Sequence, residues 1–488
     1  MRSLKRSAAI CCVITGKGSD VYYIIQNDIA LRSWPGVPFA YYRKGKTDAF
    51  PLTRDEFELL RKCDGKTPLD DSALLQQLLE RGLIRCSKGE EDVLSDWQKL
   101  HVYFNRYMPK MNLAITGRCN CKCRHCFNAN GPVADEMTYD EIIRLLDSAC
   151  ACGINAFTIT GGEPLMFERF GDVIEAIYAR NMFLFEINTN AMLLEQPFLD
   201  RLRSIRAEPV FKISFDGIGC HDWMRGVKGA EKTVLDRISL CVRNGFRVCA
   251  QINVNRKNLD SVYDTLVLLE SLGVEDSRII RTSESPRWLT CAEGLTLDVG
   301  EYYDRMLELA VRYMSGSHRM QLNIWQYLYL YPESGSYCFQ PVTAFGQRSY
   351  SEDTVLCSGA RTMIAVGADG EVYPCMQVSG TMQAAGLSLG NVRDDGLRAI
   401  LTDSEYLKLV CTTVGEKLKE NAICRECPYV TVCRGGCPAL AYNNLGRHAD
   451  HRGPDVWKCI FFKQNYPEKC KNALSAFHCL DFQPREAI

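Results

Sequence analysis

The sequence predicts an α/β fold organised around a partial (β/α)6 barrel, and three observations lead there. Apolar, strand-like runs alternate with segments of helical period roughly six times between residues 111 and 315. Such alternation calls for parallel strands joined by right-handed crossovers. Six units fall short of the eight that close a barrel, and the chemistry-bearing motifs sit where predicted strands end, the face on which such barrels carry their sites.

Taken in order, the chain opens on Met1-Arg2-Ser3-Leu4-Lys5-Arg6 and an apolar stretch over 8–14. That stretch is short for a signal sequence and no convincing cleavage site follows, so it reads as a first strand. Strands are expected at 21–25 and 39–42, separated by a turn at Pro35-Gly36. A helix follows over 52–60, with Thr53 as N-cap and Glu56 completing a capping box. A second helix covers 71–81 and stops at Gly82, and 88–97 reads as a charged linker. The barrel then begins with the apolar run 111–115 and a helix over 136–152. Further strands are expected at 156–160, 183–187, 210–214, 248–252 and 278–280, with helices at 170–179, 234–242 and 259–272.

Directly after the first barrel strand, Cys119, Cys123 and Cys126 stand at C-x3-C-x2-C spacing. Three thiolates on one loop can ligate three irons of a 4Fe-4S cube, leaving the fourth open for chemistry. Structural zinc is the competing reading, but it wants four ligands, commonly as two paired motifs. One strand–helix unit later the strand 156–160 runs into Gly161-Gly162-Glu163-Pro164. The glycines permit close backbone approach to a ligand, and Glu163 offers a carboxylate suited to an ammonium group. Asn188 ends another strand, and Ser214 with Asp216 a third; both can hydrogen-bond a ribose or a carboxylate, or serve as turn residues.

In this order the motifs resemble those of the radical S-adenosylmethionine (SAM) enzymes. The resemblance implies that Cys119, Cys123 and Cys126 hold the radical cluster and that Gly161, Gly162 and Glu163 receive the methionine amino group of SAM. It implies further that Arg225 makes a bidentate pair with the cofactor carboxylate. His125 stands where the family usually has an aromatic residue against the adenine.

A second cysteine series runs Cys357, Cys375, then Cys424, Cys427, Cys433 and Cys437 at C-x2-C-x5-C-x3-C, then Cys459. A zinc ribbon needs only four of these seven. The series resembles the SPASM extension of radical SAM enzymes, which carries auxiliary 4Fe-4S clusters. That resemblance implies one cluster on Cys357, Cys375 and Cys437 and another on Cys424, Cys427, Cys433 and Cys459. The first then lacks a fourth thiol. Either a longer loop brings in Cys338, or an iron stays open.

Strands followed by a small helical unit in the first hundred residues resemble the peptide-recognition domain fused to many peptide-modifying radical enzymes, which binds a leader peptide along a sheet edge. A plain structural cap is the alternative; a DNA-binding helix-turn-helix would need a basic helix that is not there. The expected architecture is a winged-helix-like peptide-recognition domain at 1–95, a radical-SAM partial (β/α)6 barrel at 105–315, and a SPASM domain at 316–488. With 58 basic and 59 acidic residues the chain has no general pull towards nucleic acid. No apolar run is long enough to span a membrane. The 25 cysteines at cluster spacing point to reduced thiols in the cytoplasm.

These readings imply an enzyme that generates a 5′-deoxyadenosyl radical from SAM, takes a hydrogen atom from a ribosomally made precursor peptide, and receives electrons from a small flavodoxin or ferredoxin. The nearer rival is a sulfatase-maturating type acting on a protein Cys or Ser. In that branch an aspartate usually follows the cysteine at position 375, where this chain has Met376. The farther rival is a non-enzymatic zinc-binding peptide or DNA-binding module.

Overall fold

The computed structural model describes residues 21–89, 92–126, 135–340, 351–443 and 450–480. The strand expected at 8–14 lies outside them. The described chain divides into two units, the first ending at Tyr107 and the second beginning at Met108.

In the first unit, β1 (Tyr22–Ile25), β2 (Ile29–Trp34), β3 (Val37–Arg43) and β4 (Phe50–Pro51) precede α1 (Arg54–Lys62). Thr53 caps α1 as its sequence implies: its side chain accepts from the Glu56 N–H, and Glu56 Oε2 accepts from the Thr53 N–H at 2.7 Å. The helix buries Phe57 and Leu60, apolar burial that stabilises by about 1.5–3 kcal/mol per side chain. Then come β5 (Asp64–Pro68), α2 (Ala73–Glu80), β6 (Ile84–Cys86) and β7 (His101–Val102). Two small sheets result, ordered β5-β1-β6 and β4-β3-β2-β7.

The expected linker at 88–97 is instead part of this unit. Asp92 is fixed by Arg85 at 2.7 Å. Trp97 lies under the cations of Arg32 and Lys44. Buried Gln98 donates to the Ile25 carbonyl at 3.1 Å. Trp34 stacks on Tyr103 and meets Tyr107 edge-on, so the aromatic residues after the charged stretch extend the unit to Tyr107 rather than 95. Charge alone misled here, because the pairing partners lie far away in sequence.

The second unit is built on one twelve-stranded sheet. Its centre is parallel: β8 (Lys110–Ala114), β9 (Ala156–Thr160), β10 (Phe183–Thr189), β11 (Val210–Ser214), β12 (Val248–Val254), β13 (Asp276–Arg281) and β14 (Gln321–Ile324). The crossovers carry α3 (Tyr139–Ala151), α4 (Phe170–Ala179), α5 (Gln196–Ser204), α6 (His221–Arg225), α7 (Ala230–Arg243), α8 (Val262–Ser271), α9 (Pro286–Cys291) and α10 (Val299–Met314). The expected strands and helices between 136 and 280 are therefore present.

The boundary expected at 315 does not interrupt the sheet. Beyond β14 an antiparallel meander adds β15 (Leu328–Tyr331) and β16 (Ser336–Phe339). On the other flank β17 (Met363–Val366) joins β8 in parallel and β18 (Val372–Tyr373) closes on it. Left alone, β8 would be an edge with a row of unpaired N–H and C=O groups. The C-terminal region thus completes the hydrogen bonding of the strand that launches the cysteine loop.

Strand periodicity sorts the barrel residues. Phe157, Ile159, Ile187, Phe211, Ile213, Ile252 and Ile279 are wholly buried in the core. The alternating positions Asn112, Thr158, Glu186, Lys212, Gln251 and Arg278 line an internal cavity.

Candidate active site

The cysteine loop leaves β8 and is fastened on both sides. Towards β9, the Thr116 carbonyl accepts the Gly162 N–H at 2.7 Å and the Arg118 carbonyl accepts the Glu163 N–H at 2.8 Å. Glu136 receives the Thr116 hydroxyl at 2.8 Å and the Gly117 N–H at 2.7 Å. Towards α6, the Lys122 and Arg124 amides donate to the Arg225 and Met224 carbonyls, each at 2.9 Å.

The two glycines after β9 make this approach possible. A Cβ on Gly162 would stand 2.1 Å from the Arg118 carbonyl oxygen, and one on Gly161, at φ +146°, 2.3 Å from that of Thr116. Their close approach is thus to the cysteine loop itself. Gly162→Ala is expected to push loop and strand apart at a cost of about 1–3 kcal/mol or more. Iron content after anaerobic reconstitution and the melting temperature check it: both should fall.

Cys119, Cys121, Cys123 and Cys126 all line one cavity of about 1390 Å³. Asn190 Nδ2 lies 3.8 Å from Cys119 Sγ and Arg225 Nη1 lies 3.5 Å from Cys123 Sγ, both as donors. Gly161, Gly162, Asn188, Ser214 and Arg225 line the same cavity.

Two expected cofactor contacts are corrected. Glu163 is fully buried, and its carboxylate is taken by the Thr189 hydroxyl (2.7 Å), the Asn190 N–H (2.7 Å) and the Leu165 N–H (3.2 Å). Burial pushes this carboxyl up to about 7, against those three donors. Asp216 is equally buried and does not line the cavity. It holds Arg225, with Oδ2 at 2.7 Å from Nε, an ion pair too misaligned to count as a hydrogen bond. Both carboxylates brace the wall, because a buried charge needs its own donors.

His221 completes that brace, its Nδ1 accepting the Asp216 N–H at 3.0 Å. Burial first, then Arg225, hold its pKa down to about 4, despite Asp216, against an ordinary 6.5. The unfolded chain therefore takes the proton first, and stability present above 6.5 is lost as pH falls towards 4, by about 3 kcal/mol. Melting temperatures at pH 7.5 and 4.5 test this. His221→Asn should lose less on acidification than the wild type; an equal loss would refute the assignment.

The residues fit a cluster and SAM on chemical grounds. Three thiols share one loop, and the buried Nη2 of Arg225 and Nδ1 of His125 have no hydrogen-bond partner among the described residues, while both residues line the cavity. Among the described residues no three His, Cys, Asp or Glu converge tightly enough for a single ion. In a cube each thiolate takes its own iron, so the sulfurs stand apart.

The C-terminal cysteines sort into the two expected groups. Cys424, Cys427, Cys433 and Cys459 line one small pocket with Asp455 and Lys458. Burial first, and then Cys357, raise the Cys375 thiol. Cys437 is pushed up by burial, by Asp455 and by Cys357 and Cys375, so these three are neighbours. Cys338 is corrected: it is buried on β16 opposite Tyr329, bonded to Tyr331 and close to Cys479, none of them in that trio.

Sequence reasoning passed over the belt of Glu186, Lys212, Gln251 and Arg278. Lys212 and Glu186 pair at 2.6 Å. The signal was present, since one polar residue in the middle of an otherwise apolar barrel strand must point inwards.

A partial parallel barrel with three thiols on its first loop and two further thiol groups in a C-terminal extension defines an iron–sulfur radical enzyme. Residues 113–269 match the Radical SAM superfamily and residues 357–428 match the SPASM iron–sulfur cluster-binding domain. The chain carries a radical SAM domain and a SPASM domain, whose cofactors are 4Fe-4S clusters and SAM. It is 25% identical to the sporulation killing factor maturation protein SkfB of Bacillus subtilis, over 64% of this chain and 70% of that one. It is 26% identical to the AdoMet-dependent heme synthase of Methanosarcina barkeri, over 69% and 93% respectively. The structure of Streptococcus suis SuiB bound to precursor peptide SuiA aligns with TM-score 0.63 and 14% identity, covering 88% of this chain and 98% of that one.

Proposed function

We propose that this enzyme modifies a ribosomally made precursor peptide. The observation that carries the reading is the cavity. Its volume of about 1390 Å³ has to hold the cluster, SAM and the substrate together. It is lined from the cysteine loop, from the barrel strands and from the C-terminal region through Met376, Tyr442 and Trp457. SkfB is a maturation protein and SuiB binds a precursor peptide. The SuiB alignment covers more than the residues after Tyr107 supply, so it takes in part of the first unit. There β5 and β6 are edge strands, to which an extended leader can add.

Cys119, Cys123 and Cys126 are assigned the radical cluster, and Gly161, Gly162, Asn188, Ser214 and Arg225 the SAM contacts. When bound, cluster and SAM supply a 5′-deoxyadenosyl radical that takes hydrogen from the substrate. The chain's own residues orient and shield. Asp216 and His221 fix Arg225 at the cavity wall, the glycine pair holds the loop, and the Glu186–Lys212 pair lines the interior. Cys424, Cys427, Cys433 and Cys459 are assigned one auxiliary cluster, and Cys357, Cys375 and Cys437 another without Cys338. A small flavodoxin or ferredoxin donates the electron, and the reaction belongs in the reducing cytoplasm.

A tetrapyrrole substrate is the second reading, favoured by the heme synthase relative. The anaerobically purified enzyme, with reductant and SAM, is offered a leader-bearing precursor encoded beside its gene and, separately, an iron porphyrin. A mass change in the peptide alone supports the proposal; one in the porphyrin alone refutes it. Colourless, zinc-loaded protein would restore the non-enzymatic module.

A further inference from the structure

Of the six Lys and Arg side chains that line the cavity, three are paired with carboxylates, and Arg287 donates instead to the Lys122 carbonyl at 3.3 Å. Lys212 pairs with Glu186 at 2.6 Å, Arg281 with Glu284 at 2.6 Å, and Arg225 with Asp216 at 2.7 Å. Arg278, at the middle of β13, is different. Among the described residues no carboxylate lies within ion-pair distance of it, and its buried Nε has no hydrogen-bond partner. Asp276, two residues earlier on the strand, acts on it but bonds Cys249 through its side chain, and the Cys375 thiol also lies close enough to feel its charge. In register Arg278 stands between Gln251 and Asn323. Asn323 is itself engaged by the Tyr329 hydroxyl and by Gln340. The guanidinium lies over the Trp325 ring at 5.6 Å, and Trp325 meets Trp457 edge-on. Both tryptophans line the cavity.

We infer that Arg278, backed by Trp325, is a substrate subsite that receives a carboxylate: an acidic side chain or the C-terminal carboxylate of the peptide. An arginine fixed on a strand and laid over an aromatic ring keeps its planar fork ready for two parallel N–H···O bonds. Paired Lys212 and Arg281 offer no comparable vacancy. The subsite selects which part of the peptide lies in the barrel. It therefore rests on the peptide reading and narrows it to peptides with an acid near the modified residue.

The test uses reconstituted full-length holoenzyme as wild type, Arg278→Gln and Arg278→Lys, with saturation-transfer NMR of three probes. These are N-acetylglutamate α-amide for a side-chain acid, N-acetylglycine for a C-terminal acid, and N-acetylglutamine amide as the neutral control. One acid probe should bind and the neutral probe should not. Arg278→Gln should lose about tenfold or more in affinity, as expected when a charge-assisted pair loses a partner, and Arg278→Lys should retain part. The acid that binds identifies the source. Equal binding of acid and amide, acid binding that survives Arg278→Gln, or no binding at all would overturn the subsite. So would a change in auxiliary-cluster potential as the sole effect of Arg278→Gln, which would assign the cation to the cluster. Acid binding without any peptide modification would instead count against the peptide reading and leave the subsite standing.

Discussion

Replacing Cys119, Cys123 and Cys126 together by alanine removes the iron of one cluster and abolishes cleavage of SAM. It leaves the auxiliary iron in place. The three thiols share one short loop between β8 and α3, whereas the seven cysteines assigned to the auxiliary clusters lie beyond residue 350. Loss of the loop thiols should not unfold the unit, because its fastening runs through backbone bonds from Thr116, Arg118, Lys122 and Arg124, not through sulfur. Iron per chain, the visible absorption and 5′-deoxyadenosine formed under reductant are the measurements. Any SAM cleavage near the wild-type rate would refute the assignment. Conversely, loss of all iron would mean that the cluster sites fold as one.

Removing residues 1–107 spares SAM cleavage without peptide but abolishes modification of a leader-bearing peptide. The assigned SAM contacts and cluster ligands all lie in the unit that begins at Met108. The first unit has its own core around Phe57, Leu60, Leu75 and Leu78, and a second aromatic one around Trp34 and Tyr107. Under the proposed function its contribution is substrate capture: a leader added along a short strand raises the local concentration of the segment to be modified. Leader supplied separately should not rescue the truncated enzyme. Equal turnover of the leader-bearing peptide by both forms would reduce the first unit to a structural cap.

Much of this was legible beforehand, and particular residues show why. The capping box of Thr53 and Glu56 is a local rule, since its atoms lie within one helical turn. The strands at 156–160 and 210–214 announced themselves by apolar runs. The C-x3-C-x2-C loop and the four-cysteine group of the C-terminal region are short-range spacings that ligand chemistry constrains. Glu163 and Asp216 were misjudged for the opposite reason. A carboxylate at a strand end looks available in sequence, and only folding brings Thr189 and the Asn190 amide to one, and Arg225 to the other.

The sequence by itself determined the class of chemistry and the parallel barrel, because these depend on periodicity and on donors close together along the chain. Tertiary structure alone decided that Glu163 and Asp216 brace the wall rather than face the cavity. It also decided that β17 shields the edge of β8, that Cys338 belongs with Tyr331, and that Arg278 has no acid partner among the described residues. Each of those outcomes turns on a partner that the local sequence pattern does not announce, or on the absence of one. Burial makes every such pairing consequential, since in a desolvated wall a charge either finds its counterpart or waits for a ligand to bring one.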